Sequence, residues 1–323
     1  MRYLTVSLAL FGGCLALACR SSAPTSGGAP VAKAGSRSVS TVAASQGQIM
    51  AQVTSTELVV GQNRFTLGLL DGGGRPIADA TAHFDFFKLE GSNATLVSQA
   101  DATFRAPARE ANLPETLEVT LSNGQKRVQT NAPSDVGVYS AQASFDSPGK
   151  WGVEAKGQLK SGAAYDARTS FQVLTQNLTP AVGSPAPRSR NLTVKDVTDL
   201  AQIDSSVHPS ADMHTETIAE GIAAGHPLLV LFATPGYCPS RFCGPELEVA
   251  RKLEAKYRGQ ADFIHVEIYK DPAQRIPYDT VLQWHITSEP YFFIVDRSGL
   301  VRAKFEGPTS MDELDVALQK VAG

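Results

Sequence analysis

Two cysteines separated by four residues, Cys238 and Cys243, lie between an apolar run and an amphipathic run in the last third of the chain. The apolar run, 227–233, predicts a fully buried strand, and residues 245–257 carry apolar side chains at helical spacing. Five residues of regular helix rise about 7.5 Å, whereas a disulfide tolerates roughly 4.4–6.8 Å between Cα atoms. The two cysteines therefore cannot both lie inside one regular helix if a disulfide joins them.

The prolines around the pair predict where the helix begins. Pro239 directly follows Cys238, and Pro245 suits the first turn of a helix that starts near Cys243. A helix N-terminus offers free N–H groups and a positive dipole, which favour a thiolate over a thiol. The sequence thus predicts a bridgeable cysteine pair at a strand-to-helix turn, where a reactive thiolate is stabilised.

Length and charge set the broad class of the protein. The chain has 323 residues, of which 42% are hydrophobic and 19% charged, and this size allows two domains. The formal net charge is −3, and the sequence has no long basic block. Nothing therefore favours a nucleic-acid partner.

The amino terminus is typical of an export signal, because Arg2 precedes an apolar run over 3–18 that ends at Cys19. Residues 1–19 resemble a bacterial lipoprotein signal peptide, which implies lipidation of Cys19 and anchoring on the extracytoplasmic side of the cell envelope. Ordinary signal-peptide cleavage after Ala18 is the alternative, and Cys14 is a weaker lipidation candidate. Because that compartment is oxidising, the remaining cysteine pair is expected as a disulfide.

Residues 20–48, rich in Ser, Ala, Gly and Pro, predict a flexible tether. Over 49–174, period-two alternation interrupted by turn signals predicts an all-β sandwich. Through Gly137-Val-Tyr-Ser-Ala141 and Pro148-Gly-Lys-Trp151, this segment resembles the YtkA-like immunoglobulin-type domain. Such sandwiches mostly bind or present something, and residues 50–174 contain no evident catalytic constellation. A Pro-rich linker over 175–195 follows.

Residues 196–323 predict an α/β domain with a mixed sheet flanked by helices, because strands and helices alternate in β-α-β and then β-β-α order. The strand that ends at Ala233, the cysteines at its exit and Glu289-Pro290 before strand 291–295 resemble thioredoxin and its TlpA-like and SCO relatives. The resemblance implies that Cys238 attacks, that Cys243 resolves, and that Pro290 is a cis-proline that receives a substrate strand. A helix dipole felt more strongly at Cys243 would reverse the order of the cysteines, which stays open.

Three features depart from thioredoxin. Four residues rather than two separate the cysteines, Tyr237 replaces the tryptophan before the first cysteine, and the strand before the pair lacks a buried acid. We take Tyr237, Glu289 and His265 as supporting residues. His265 is interpreted either as a proton relay or as a core histidine, and Asp212-Met213-His214 as a capping region before a helix.

The combined prediction is an exported, membrane-tethered thiol-disulfide oxidoreductase that needs no cofactor and acts on exported protein thiols or disulfides. One alternative is an SCO-like Cu(I) metallochaperone, with Cys238, Cys243 and His285 as ligands. Counting back from Asp296, however, the SCO ligand position holds Ser288 here. The other alternative is a non-enzymatic binding protein in which the disulfide is structural.

Overall fold

The computed structural model describes residues 48–121 and 123–323. The predicted signal peptide, the lipidation site Cys19 and nearly all of the predicted tether lie outside these residues. No helix in the described part of the chain is long and apolar enough to cross a membrane.

The amino-terminal part of the described chain is a seven-stranded antiparallel sheet, which we call the β region. Its strands follow the order β1-β2-β7-β4-β3-β8-β9. The sequence prediction of antiparallel strands over this range is confirmed, while its assignment to the immunoglobulin type stays a prediction. The strands are β1 (Met50–Val53), β2 (Gly61–Leu70), β3 (Ala82–Glu90), β4 (Asn93–Arg105), β7 (Val138–Phe145), β8 (Gly149–Gln158) and β9 (Ala164–Val173).

The core of the β region lies between the two halves of this sheet. The long strand β4 pairs with β3 in one half and with β7 in the other. Phe65 of β2 and Phe86 of β3 contact edge to face with ring centroids 4.9 Å apart, although their strands are not neighbours in the sheet. The inward residues that alternate along each strand therefore meet across the core.

The carboxy-terminal part is the α/β region, with the four-stranded order β11-β10-β14-β15. Strand β10 pairs in parallel with β11 and antiparallel with β14, so the sheet is mixed, as the sequence predicts. A 3-10 turn at Leu200–Gln202 precedes it. The elements are α2 (Ile218–Ala224), β10 (Leu228–Phe232), α3 (Cys243–Lys256), β11 (Asp262–Val266), β12 (Tyr269–Asp271), β13 (Ile276–Pro277), α4 (Asp279–Gln283), β14 (Tyr291–Val295), β15 (Val301–Glu306) and α5 (Met311–Ala322).

Strand β10 is fully buried because helices cover both faces of the sheet. Leu229 and Leu231 belong to the core beside α3 and α5, whereas Val230 and Phe232 belong to the core on the opposite face. A strand buried on both faces requires a continuous apolar run rather than an alternating one, and the sequence has one here.

A segment of the β region packs on the start of α3. Between β4 and β7 the chain forms α1 (Pro107–Ala111) and a hairpin of β5 (Thr116–Thr120) and β6 (Lys126–Thr130). We call residues 107–136 the docking segment. Phe242, at the N-cap of α3, is buried against Ala108 and Ala132 of this segment.

A buried ion pair also joins the two regions. Arg64 of β2 binds Glu313 of α5 through two N–H···O contacts, Nε–Oε1 at 2.7 Å and Nη2–Oε2 at 3.0 Å. Arg64 also donates to the carbonyl oxygens of Glu306 and Pro308. Burial alone would raise the pKa of Glu313, but the charge and hydrogen bonds of Arg64 lower it overall.

We predict that Gly244→Ala destabilises the protein. A Cβ on Gly244 would overlap the side-chain amides of Gln129 and Asn131, which are buried and hydrogen-bonded to each other at 2.8 Å. Such overpacking lowers the free energy of unfolding by about 1–3 kcal/mol. That loss outweighs the gain of about 1 kcal/mol that alanine brings to a helix. Urea unfolding of the purified protein measures the difference.

Gly68→Ala is the matched control, because the added Cβ would lie 3.9 Å from the Gln52 carbonyl oxygen, an ordinary contact. Its effect is expected to stay within about 0.5 kcal/mol. Equal stability of the two variants would contradict the tight packing of the docking segment on α3.

Candidate functional site

The two cysteines form a disulfide at the turn between β10 and α3. Their Cα atoms lie 6.0 Å apart, within the range that a disulfide tolerates. Cys238 belongs to the loop, and α3 begins at Cys243 with Pro245 in its first turn. The predicted position of the helix start is therefore confirmed.

The two cysteine residues differ in burial. Cys243 is completely buried, whereas Cys238 is half-buried and follows Tyr237, whose surface is 57% exposed. Of the two cysteine residues, Cys238 is therefore the one that retains some surface exposed to solvent. This difference favours Cys238 as the attacking cysteine.

Polar groups converge on the sulfur of Cys238. The backbone N–H of Cys243, at the start of α3, donates to Cys238 Sγ at 3.3 Å. The hydroxyl of Ser240 lies at the same distance from that sulfur. When the disulfide opens, an N–H donor and the positive end of the helix dipole would stabilise a thiolate on Cys238. The N-terminus of α3 thus begins at Cys243, but its N–H donor and dipole act on the sulfur of Cys238.

A buried carboxyl group lies beside Cys243. The Cys243 sulfur is 3.5 Å from Glu289 Oε2, and Glu289 Oε1 has no hydrogen-bond partner among the described residues. Burial first, and then repulsion from Glu267, raise the pKa of Glu289 to about 8. The carboxyl group beside the cysteine pair therefore comes from the residue that precedes Pro290, and not from the strand before the pair.

The Glu289–Pro290 peptide bond is cis, the isomer that the resemblance implies. Pro290 is buried, and its carbonyl oxygen accepts a hydrogen bond from the Gly307 N–H. Because Glu289 contacts Cys243, the start of β14 lies next to the cysteine turn. The sequence-predicted residues Cys238, Cys243, Glu289 and Pro290 thus meet in one place.

A second buried carboxyl, that of Glu267, accepts the backbone N–H of Ser205 at 2.8 Å. Burial raises its pKa, while the nearby His265 and the hydroxyls of Thr234 and Ser205 oppose the shift. Glu267 directly follows β11, and the sequence pattern assigns it no role. Its contact with the distant loop at Ser205 could not be read from local pattern.

The structure places His265 against another histidine. His265 Nδ1 lies 3.2 Å from His214 Nε2, and its Nε2 lies 3.0 Å from the Ala233 carbonyl oxygen. Burial, and then His265, lower the pKa of His214 to about 3. The interpretation of residues 212–214 as a helix cap is wrong, because Thr217 caps α2 in a capping box with Glu220.

The ligand set of the copper alternative is not assembled as the sequence suggested. Among the described residues, the groups of three or more potential ligands that lie close together are Cys238–Cys243–Glu289 and Asp204–His214–His265. His285 is exposed just after α4 and belongs to neither group. The third ligand beside the cysteines would be a carboxylate, which suits Cu(I) less well than an imidazole.

A cavity of about 470 Å³ opens beside the cysteine turn. Tyr237 lines it on the cysteine side, with Glu267, Tyr269 and Tyr278 across from it. A second cavity, of about 230 Å³, shares Glu267 and Tyr278 with the first. The first cavity therefore provides a partly aromatic surface at Tyr237, the residue that precedes Cys238.

The docking segment contacts the cysteine turn. Arg241 has φ of 63°, a left-handed conformation that costs free energy for a residue with a side chain. Its carbonyl oxygen accepts the backbone N–H of Ala132 at 2.8 Å. Together with the burial of Phe242, this bond holds the turn between the two cysteines in place.

No protein-family model matches the chain, and no curated protein matches it either. Solved structures include three similar chains. A thiol:disulfide interchange protein of the thioredoxin family from Chlorobium tepidum TLS is 17% identical, with 46% of this chain and 100% of that chain covered and a TM-score of 0.28. MtrC from Shewanella baltica OS185 is 12% identical, covering 50% and 27%, with a TM-score of 0.24.

The third similar structure is a cohesin module from a family 33 glycoside hydrolase of Clostridium perfringens ATCC13124. It is 12% identical, with 40% of this chain and 98% of that chain covered and a TM-score of 0.20. With such TM-scores and identities, these likenesses determine neither a family nor an activity for this chain.

Proposed function

We propose that this protein is an exported, membrane-tethered thiol-disulfide oxidoreductase that acts on protein thiols or disulfides through Cys238 and Cys243. The observation that carries the proposal is the asymmetry of the pair. Cys238 is partly buried and its sulfur receives the N–H of a helix start, while Cys243 is completely buried beside a carboxyl group of raised pKa. A purely structural disulfide requires neither arrangement.

The first step is attack by Cys238 on a partner disulfide. The thiolate of Cys238 forms a bond to one partner sulfur, and the other partner sulfur leaves as a thiolate. A mixed disulfide then joins Cys238 to the partner. The cavity lined by Tyr237 and Tyr269 supplies contact area for partner side chains beside this bond. By the thioredoxin resemblance, the segment at Pro290 receives the partner backbone.

The second step uses Cys243 and Glu289. The Glu289 carboxylate accepts the Cys243 proton, and the resulting thiolate attacks Cys238 and releases the partner as its thiolate. Two electrons have then passed from the cysteine pair to the partner. In the opposite direction a partner thiolate attacks Cys238, Cys243 leaves, and protonated Glu289 returns the proton.

The amino terminus supports the cellular setting that we propose. The apolar run that ends at Cys19 is the basis for export and for lipid anchoring in the bacterial cell envelope. The tether over 20–48 would then hold the two folded regions off the membrane. We further propose that the β region is a YtkA-like immunoglobulin-type sandwich, on the basis of its sequence motifs.

Redox titration tests the proposed function. We predict a reversible thiol-disulfide transition near or above about −230 mV in glutathione buffers, with Cys238 alkylated before Cys243. Mass spectrometry of the alkylated protein measures both. In addition, Cys243→Ser is expected to trap a mixed disulfide with a model peptide disulfide, whereas Cys238→Ser is expected to trap none. A bond that stays closed below about −300 mV would identify a structural disulfide instead.

We predict that Glu289→Gln slows resolution of the mixed disulfide by about 10²-fold, because the amide cannot accept the Cys243 proton. In the unmodified protein the rate should rise with pH up to around 8, where Glu289 ionises, and the variant should lose this rise. Stopped-flow measurement of partner release gives the rates. Glu248→Gln, a change at a partly buried glutamate of α3, is the control and should keep the pH profile.

The raised pKa of Glu289 also predicts that the stability of the folded protein depends on pH. An unfolded carboxyl ionises at about pH 4.3, but folded Glu289 retains its proton up to about pH 8. The stability that this proton contributes is complete below the unfolded pKa and is lost as pH rises through the folded pKa. Relative to the unmodified protein, Glu289→Gln should therefore gain stability between pH 5 and pH 8.

Calorimetric Tm values of both proteins, oxidised, at pH 5 and pH 8 provide the comparison. Parallel changes in Tm would mean that Glu289 ionises normally in the folded protein.

A further inference from the structure

Three potential metal ligands that are distant in sequence meet behind the exit of β10. His265 lies on β11, His214 in the loop before α2, and Asp204 just after the 3-10 turn. Their exposed fractions are 1%, 2% and 1%, respectively. One ligand atom from each residue lies within 4.8 Å of the ligand atoms of the other two. Two imidazoles and a carboxylate are thus gathered out of contact with bulk water.

The spacing of the two imidazoles fits two ligands of one ion. His265 Nδ1 and His214 Nε2 are 3.2 Å apart, and the ring planes are inclined at 63°. Two nitrogens bound to one zinc ion at about 2.05 Å with a tetrahedral angle lie about 3.3 Å apart. A hydrogen bond between two imidazoles spans a similar distance, and this competing explanation is the one that the experiment must separate.

A hydrogen bond to a group outside the cluster orients the His265 ring, as such bonds orient histidine ligands in metal sites. Its Nε2 donates to the Ala233 carbonyl oxygen at 3.0 Å, which leaves the Nδ1 lone pair directed at His214. A backbone carbonyl that accepts the second imidazole N–H is a common partner of metal-binding histidines. The Ala233 carbonyl oxygen therefore already selects the His265 tautomer in which Nδ1 can bind a metal ion.

Asp204 is held in place by its own partners. Oδ1 accepts the Ser206 N–H, and Oδ2 accepts the Ser210 N–H and an N–H of Arg251. A carboxylate has about four lone-pair positions, so one on Oδ1 remains for a cation. The positive charge of Arg251, which pairs with Asp204, opposes the binding of a cation here. The buried carboxyl group of Glu267, which interacts with His265, favours the binding of a cation.

We infer that Asp204, His214 and His265 form a binding site for one divalent transition-metal ion, for which the donor set of two imidazole nitrogens and one carboxylate oxygen suits Zn²⁺. The site is separate from the cysteine pair, and the inference does not depend on the proposed redox function. A cavity of about 230 Å³ lies next to the proposed site, because His265 is one of its lining residues.

Cobalt(II) is the probe, because its visible absorption reports coordination number and ligand type. The purified full chain is stripped with chelator, kept oxidised so that both cysteines remain bridged, and titrated with CoCl₂. We expect one ion per chain by native mass spectrometry, displacement by Zn²⁺, and a spectrum without thiolate charge-transfer bands. Asp204→Asn and His214→Gln should each weaken binding at least about 10-fold.

His226→Gln is the matched control, because this exposed histidine pairs with Asp262 on the surface and should leave binding unchanged. Thermal melts followed by circular dichroism identify any variant that fails to fold. X-ray absorption at the cobalt edge of the unmodified protein counts imidazole ligands without any substitution. The inference is overturned if the oxidised unmodified protein binds no ion, if both ligand variants bind the ion as tightly as the unmodified protein does, or if binding requires reduced cysteines.

Discussion

The turn between Cys238 and Cys243 depends on its contact with the docking segment. Arg241 adopts a left-handed conformation that costs roughly 1–2 kcal/mol. The hydrogen bond from Ala132 contributes about 1 kcal/mol, and burial of Phe242 about 1.5–3 kcal/mol. These contributions offset the strain, so the turn keeps the conformation in which the Cys238 sulfur receives the Cys243 N–H and the Cys243 sulfur lies beside Glu289.

Polar contacts fix how the two regions are oriented. The pair Arg64–Glu313 is mostly buried, and Lys252 of α3 donates to the last carbonyl groups of α1, those of Glu110 and Ala111. A buried ion pair adds little net stability, but removal of one partner leaves an uncompensated charge, so alternative orientations of the regions are costly. The lysine also satisfies carbonyls that have no partner within such a short helix.

Local pattern predicted much of the fold. The apolar run before the cysteines, the start of α3 near Cys243 and the strand after Pro290 follow from periodicity and from proline placement, which act over a few residues. The contact of Glu289 with Cys243 joins residues 46 positions apart, and that of His214 with His265 joins residues 51 apart. Such contacts are decided by how separate elements pack, so the sequence identified Glu289 only through its neighbour Pro290 and misread His214.

The contact made by Phe242 bears on how such a chain can be divided or recombined. A proline-rich linker suggests that the two regions are independent domains, each of which could be exchanged between proteins. Yet Phe242 and the Arg241 carbonyl find their partners in residues 107–136, within the other region. If the cysteine turn were transferred to another protein without the docking segment, the Phe242 side chain would be exposed to water. The left-handed backbone at Arg241 would also lose the hydrogen bond that supports it.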